Sequence, residues 1–78
     1  MPTVLREQGF RFHFYLNDHL PMHVHVAKGG AEAKVLLEPN IELTKNNGFK
    51  SQEVRSIVGI IEANYEYLIQ QWHETYNR

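Results

Sequence analysis

Residues 21–38 read PMHVHVAKGGAEAKVLLE. Apolar and polar residues alternate on both sides of Gly29-Gly30, the pattern of two strands with one buried face. Two adjacent glycines readily supply the positive φ angles of a primed two-residue turn. With Gly29-Gly30 as that turn, Lys28 opposes Ala31, Ala27 opposes Glu32, His25 opposes Lys34 and His23 opposes Leu36. Directly opposed residues of a hairpin share a face. His23, His25, Glu32 and Lys34 then lie on one side of the sheet. Met22, Val24, Val26, Ala33, Val35 and Leu37 lie on the other and form a core. The histidines point away from that core, and a slip of one residue would invert the sorting.

The chain upstream sorts the same way. Val4–Glu7 and Phe10–Leu16 flank Gln8-Gly9, which suits a tight hairpin. Arg6 then opposes Arg11, Leu5 opposes Phe12 and Val4 opposes His13. Leu5, Phe10, Phe12 and Phe14 share the apolar face; Arg6, Arg11, His13 and Tyr15 share the polar one. Asn17, Asp18 and Pro21 mark a loop between the hairpins. If the hairpins join with apolar faces together, the opposite face collects Arg6, Arg11, His13, Tyr15, His23, His25 and Lys34. Ile41–Leu43 is a candidate short fifth strand, and Asn46-Asn47-Gly48 reads as a turn.

From Ser51 the period changes. Val54, Ile57, Val58, Ile61, Tyr65, Leu68 and Trp72 recur at three- and four-residue spacing, the mark of an amphipathic helix. Continuous to Tyr76 it would be about 38 Å long. That exceeds what a small sheet needs, so a bend near Ala63-Asn64 or a homodimer through the C-terminal helix is expected. The fold class is α+β in a single domain, residues 1–78. It is an antiparallel sheet of four or five strands, in two hairpins, covered on one face by a long C-terminal helix.

At 78 residues the chain buries roughly 60% of its unfolded surface, so a partner chain is plausible. It has no cysteine, which removes disulfides and thiolate metal sites and fits a cytoplasmic setting. The opening MPTVLREQ lacks a basic segment followed by an apolar core, and no apolar run is long enough to span a bilayer. Neither a signal peptide nor membrane insertion is expected. A formal charge of −1 argues against a protein that simply coats nucleic acid. Glu53, Glu62, Glu66 and Glu74 sit on the helix, however, so the polar sheet face is basic despite the neutral total.

Three chemistries compete for that face. Imidazoles with nearby Lys and Arg are the equipment for cleaving an RNA backbone: His23 and His25 share acid–base work while Arg6, Arg11 and Lys34 hold phosphate. Tyr15 is placed to stack on a base, and no cofactor is needed. Alternatively His23 and His25 ligate zinc, with His13, His19 or Glu32 as third ligand; Lys34 beside His25 opposes this by repelling a divalent ion. In the third reading the face is non-catalytic, either plainly solvated or docked on an acidic protein or nucleic acid. His73, near the helix end, suits the helix dipole.

MPTVLR, FRFHFYLND, PMHVHV, AEAK, Gly48-Phe49 and the late Trp72 together resemble a bacterial family, domain of unknown function 4160, over nearly the whole chain. The P-x-H-V-H motif of that family maps onto Pro21, His23, Val24 and His25, and its following lysine onto Lys34. Two departures stand out. Pro21-Met22 replaces the usual pair of prolines, and Lys50 replaces a serine cap before the helix, leaving Ser51 as substitute. The resemblance implies no established activity. It does imply a small antitoxin-like protein encoded nearby, and hence the toxin-like half of a toxin–antitoxin module.

Overall fold

Both predicted turns form. In the computed structural model, which describes residues 3–15 and 20–76, Gln8 and Gly9 both have positive φ (55° and 84°). That is the requirement of a I′ turn, which matches the twist of the strands it joins. In the second turn Gly29 has φ 60°. Around these turns lie β1 (Thr3–Glu7), β2 (Phe10–His13), β3 (His23–Lys28) and β4 (Ala31–Leu36), followed by β5 (Glu42–Asn47). They form one antiparallel sheet in the order β1-β2-β3-β4-β5. The fold is α+β, a five-stranded antiparallel sheet with two helices.

The register of β3 on β4 follows the sequence at every position, His25 opposite Lys34 and His23 opposite Leu36 included. The first hairpin differs at one point. Arg6 opposes Arg11 and Leu5 opposes Phe12, but Thr3 rather than Val4 stands opposite His13, because the pairing shifts between Thr3 and Leu5. An extra residue of that kind kinks a strand locally. The fifth strand is longer than Ile41–Leu43 and takes in Asn46 and Asn47. A second shift sets Lys34 opposite Lys45 and Val35 opposite Leu43, and the Thr44 hydroxyl donates to the Lys34 carbonyl at 3.2 Å.

The turn that follows is held by side chain rather than by hairpin geometry. The Asn46 amide donates to the Phe49 carbonyl and accepts from the Phe49 N–H, both at 3.0 Å. Gly48 has φ 110°, and a Cβ there would lie 3.0 Å from the Ala31 Cβ. Backbone strain and crowding coincide at this position. Gly48→Ala is expected to cost about 1–3 kcal/mol, read as a lower urea midpoint at unchanged slope.

One helix with a bend was the expectation; the chain makes two, α1 (Ser51–Ala63) and α2 (Tyr65–Tyr76), meeting at Asn64. Asn64 donates its backbone N–H to the Ile60 and Ile61 carbonyls and its side-chain amide to the Ile60 carbonyl at 2.8 Å. A side chain that closes the last turn in this way ends a helix. At the other end of α1, Lys50 rather than Ser51 is the N-cap, and the Glu53 carboxylate accepts its backbone N–H at 3.0 Å.

The core follows the predicted sheet face, although Leu5 is only half-buried; in the helical half Ile60 and Phe49 join it, while Val54, Val58 and Tyr65 are only half-buried. Phe10, Phe12, Phe14, Met22, Val24, Val26, Ala33, Val35 and Leu37 are buried from the sheet, against Ile57, Ile60, Ile61, Leu68 and Trp72 from the helices. Burying each large side chain contributes about 1.5–3 kcal/mol, and this is what fixes the helices on one face. Tyrosine hydroxyls fasten the layers at their rims. Tyr65 donates to the Leu37 carbonyl at 2.6 Å, Tyr67 to the Val4 carbonyl at 2.7 Å, and Tyr76 to the Tyr15 carbonyl. No helix among the described residues is long and apolar enough to cross a membrane.

Candidate functional site

The helices leave the opposite face of the sheet open, and the strand registers arrange it in rows. One row runs Arg6, Arg11, Ala27, Glu32, Asn47 across all five strands. The next runs His13, His25, Lys34, Lys45 from β2 to β5. Beyond His13 and His25 lie Tyr15 and His23. Arg6, Arg11, His13, His25 and Lys34 therefore share one face, whereas His23, expected to point away from the core, is buried against Trp72 of it; the predicted residues divide into three environments. His19 lies outside the described residues.

The first environment is a cleft of about 390 Å³ walled by Tyr15, His25, Glu32, Lys34, Lys45 and Asn47. His25 sits in it half-buried, with its ring 4.2 Å from the Tyr15 ring between centroids. Glu32 is diagonal to His25 on the neighbouring strand, a placement that sets side chains about 7–8 Å apart. A carboxylate and an imidazole so spaced can flank one phosphate, one removing a proton and the other returning it. Lys34 and Lys45, directly opposed, supply the cations that such a phosphate needs.

The second environment is buried. His23 is 5% exposed; its ring packs 5.4 Å from that of Trp72 and 5.0 Å edge-on to that of His25. Its Nδ1 lies 2.8 Å from the Pro21 carbonyl, which suits a proton on that nitrogen. The two histidines of the H-V-H stretch thus have different jobs available: His25 faces the cleft, and His23 braces it from behind.

His13 is buried more deeply, 1% exposed, in a near-parallel stack on His25 at 5.7 Å and edge-on to Tyr15 at 5.1 Å. Neither of its ring nitrogens has a hydrogen-bond partner among the described residues. Burial, then the charges of Arg11 and His25, hold its pKa below the ordinary 6.5, only partly offset by the Arg11 backbone and Glu32. His13 is therefore neutral at pH 7. The unfolded chain binds a proton there near pH 6.5 and the folded chain only at lower pH, so stability rises with pH across that interval. Denaturant unfolding should show stability intact above pH 7 and falling as pH drops below about 6.5. In His13→Gln that fall should be smaller.

The third environment is the arginine pair. Arg6 is exposed, Arg11 half-buried, and they are directly opposed across β1 and β2. Neither guanidinium is ion-paired with a carboxylate among the described residues. Like charges so placed repel, unless an anion lies between them.

A larger hollow of about 600 Å³ lies against α2, but Glu38, Glu66 and Glu74 line it and suit no anion. No group of three or more His, Cys, Asp or Glu among the described residues is arranged to hold a metal ion. Lys45 and Asn47 are the cleft residues that sequence reasoning missed. ELTKNN has no apolar alternation, so only its pairing with β4 reveals which side chains face the cleft.

Compared with known families, residues 9–73 match the family described as Domain of unknown function (DUF4160). No curated protein matches the chain, and no solved structure does.

Proposed function

The chain belongs to that family of unknown function, and from this premise we propose that the open face binds RNA and cleaves its backbone with side chains alone. The observation that carries the reading is the cleft. His25 and Glu32 share it with two lysines and a tyrosine ring. The Glu32 carboxylate takes the proton of a ribose 2′-hydroxyl, and the 2′-oxygen attacks the adjacent phosphorus. The bond from phosphorus to the 5′-oxygen breaks, and the His25 imidazolium returns a proton to that oxygen. The products are a 2′,3′-cyclic phosphate and a free 5′-hydroxyl. Lys34 and Lys45 hold the phosphate as negative charge develops, and Tyr15 offers a face for a base.

On this reading His23 is a positioning residue that acts through His25, and His13 is a neutral backing for the His25 ring. The family resemblance adds a setting, a toxin-like protein restrained by a small partner encoded nearby. A test needs purified protein, a fluorophore-quencher RNA and excess EDTA. Cleavage that persists in EDTA and yields cyclic-phosphate ends supports the proposal, and an intact RNA at micromolar protein rejects it. The competing non-catalytic reading draws on Arg6 and Arg11, which face each other with no carboxylate partner among the described residues. It predicts binding that weakens steeply with salt and produces no cut ends.

A further inference from the structure

We infer that the ligand of this face is a single RNA strand long enough to engage two separate cation pairs at once, rather than a nucleotide held at one phosphate. The inference rests on the RNA reading above and concerns its substrate class. Lys34 opposes Lys45 across β4 and β5, and Arg6 opposes Arg11 across β1 and β2. The two pairs are three strand spacings apart and one row out of line, about 16 Å on the sheet lattice. Side chains stand roughly perpendicular to a sheet, so the charged ends keep much of that separation. One phosphate group cannot bridge it, whereas successive phosphates of a strand can.

What lies between the pairs agrees with a strand. Between the pairs stand Ala27 and His25 of β3, and the accessible rings there are those of His25 and, beside it, Tyr15, 4.2 Å apart, a surface on which unpaired bases stack and duplex bases cannot. Among the described residues the arginine pair has no carboxylate partner. It is therefore available as the distal anchor, while the lysine pair beside His25 is the anchor at the cleavage point.

The test uses fluorescein-labelled 2′-O-methyl oligouridylates of two and eight nucleotides, which cannot be cleaved by this route, and reads affinity by anisotropy. The wild type should bind the octamer at least ~10-fold more tightly than the dimer, and tighter than an eight-base-pair duplex. Arg6→Ala/Arg11→Ala should weaken the octamer about 10-fold and lower its log K against log salt slope by about 1.4, leaving the dimer unchanged. Lys34→Ala/Lys45→Ala should weaken both probes. The arginine variant removes a like-charge contact and should melt no lower than wild type; Arg6→Gln/Arg11→Gln repeats the measurement if it does. Equal losses for dimer and octamer would mean a single shared phosphate site, overturning this inference and sparing the RNA reading. Equal binding of the duplex would overturn the single-strand assignment, and binding of neither probe would overturn both.

Discussion

His25→Ala should lower RNA cleavage at pH 7 by at least about 100-fold, the usual range for losing a positioned proton donor. The residue sits on the open face, half-buried among Tyr15, Lys34 and Glu32, so truncating it leaves the apolar core untouched. Its melting temperature should stay within a few degrees of wild type. A His25→Ala protein that cuts at the wild-type rate would remove His25 from the chemistry, and the cleft would then be only a binding surface.

Trp72→Ala should be the most destabilising single change. The indole is 4% exposed and packs against three rings. Its ring lies 5.4 Å from Phe14, a core residue, and 5.4 Å from His23, behind the cleft. Tyr76 packs on it at 4.3 Å. Truncating a buried aromatic costs about 3–5 kcal/mol, while a chain of this length has total stability of about 4–12 kcal/mol. The melting temperature should fall by at least about 12 °C, or the protein should fail to fold. Tyr67→Ala is the contrast. That side chain is 43% exposed and holds one hydrogen bond to the Val4 carbonyl, worth about 0.5–1.5 kcal/mol. Calorimetry showing equal losses for the two variants would contradict the packing described for Trp72. Trp72→Phe keeps a ring in place and tests the link to the cleft. It should fold yet cleave more slowly, because His23 loses its rigid backing.

Alternation and glycine turns carried most of the fold. The β3–β4 register follows from valines at every second position, which rule out a one-residue slip, and from Gly29-Gly30, which fixes where the chain turns. The break at Ala63-Asn64 was legible only as excess helix length, for which a homodimer was the other reading. β5 was not legible, because Thr44, Lys45, Asn46 and Asn47 form an edge whose outward residues need no apolar pattern. The site shows the same division. That the histidines and cations share one face is a matter of parity along each strand. That His23 is covered while His25 is open depends on where Trp72 lands, some fifty residues later, and no local pattern encodes it. His13 is similar. The rings packed on it are those of Tyr15 and His25, contacts that no local pattern encodes.

The order of the strands has a kinetic meaning. Each strand hydrogen-bonds only to the strand before it and the strand after it, so every pairing closes a short loop and none must wait for distant parts of the chain to meet. Loop closure of that kind adds little entropy per step, and topologies dominated by near-neighbour contacts cross their folding barrier quickly. A freshly made chain could thus assemble the sheet strand by strand from its N-terminal end, with the last helix closing over phenylalanines that are already lined up to receive it.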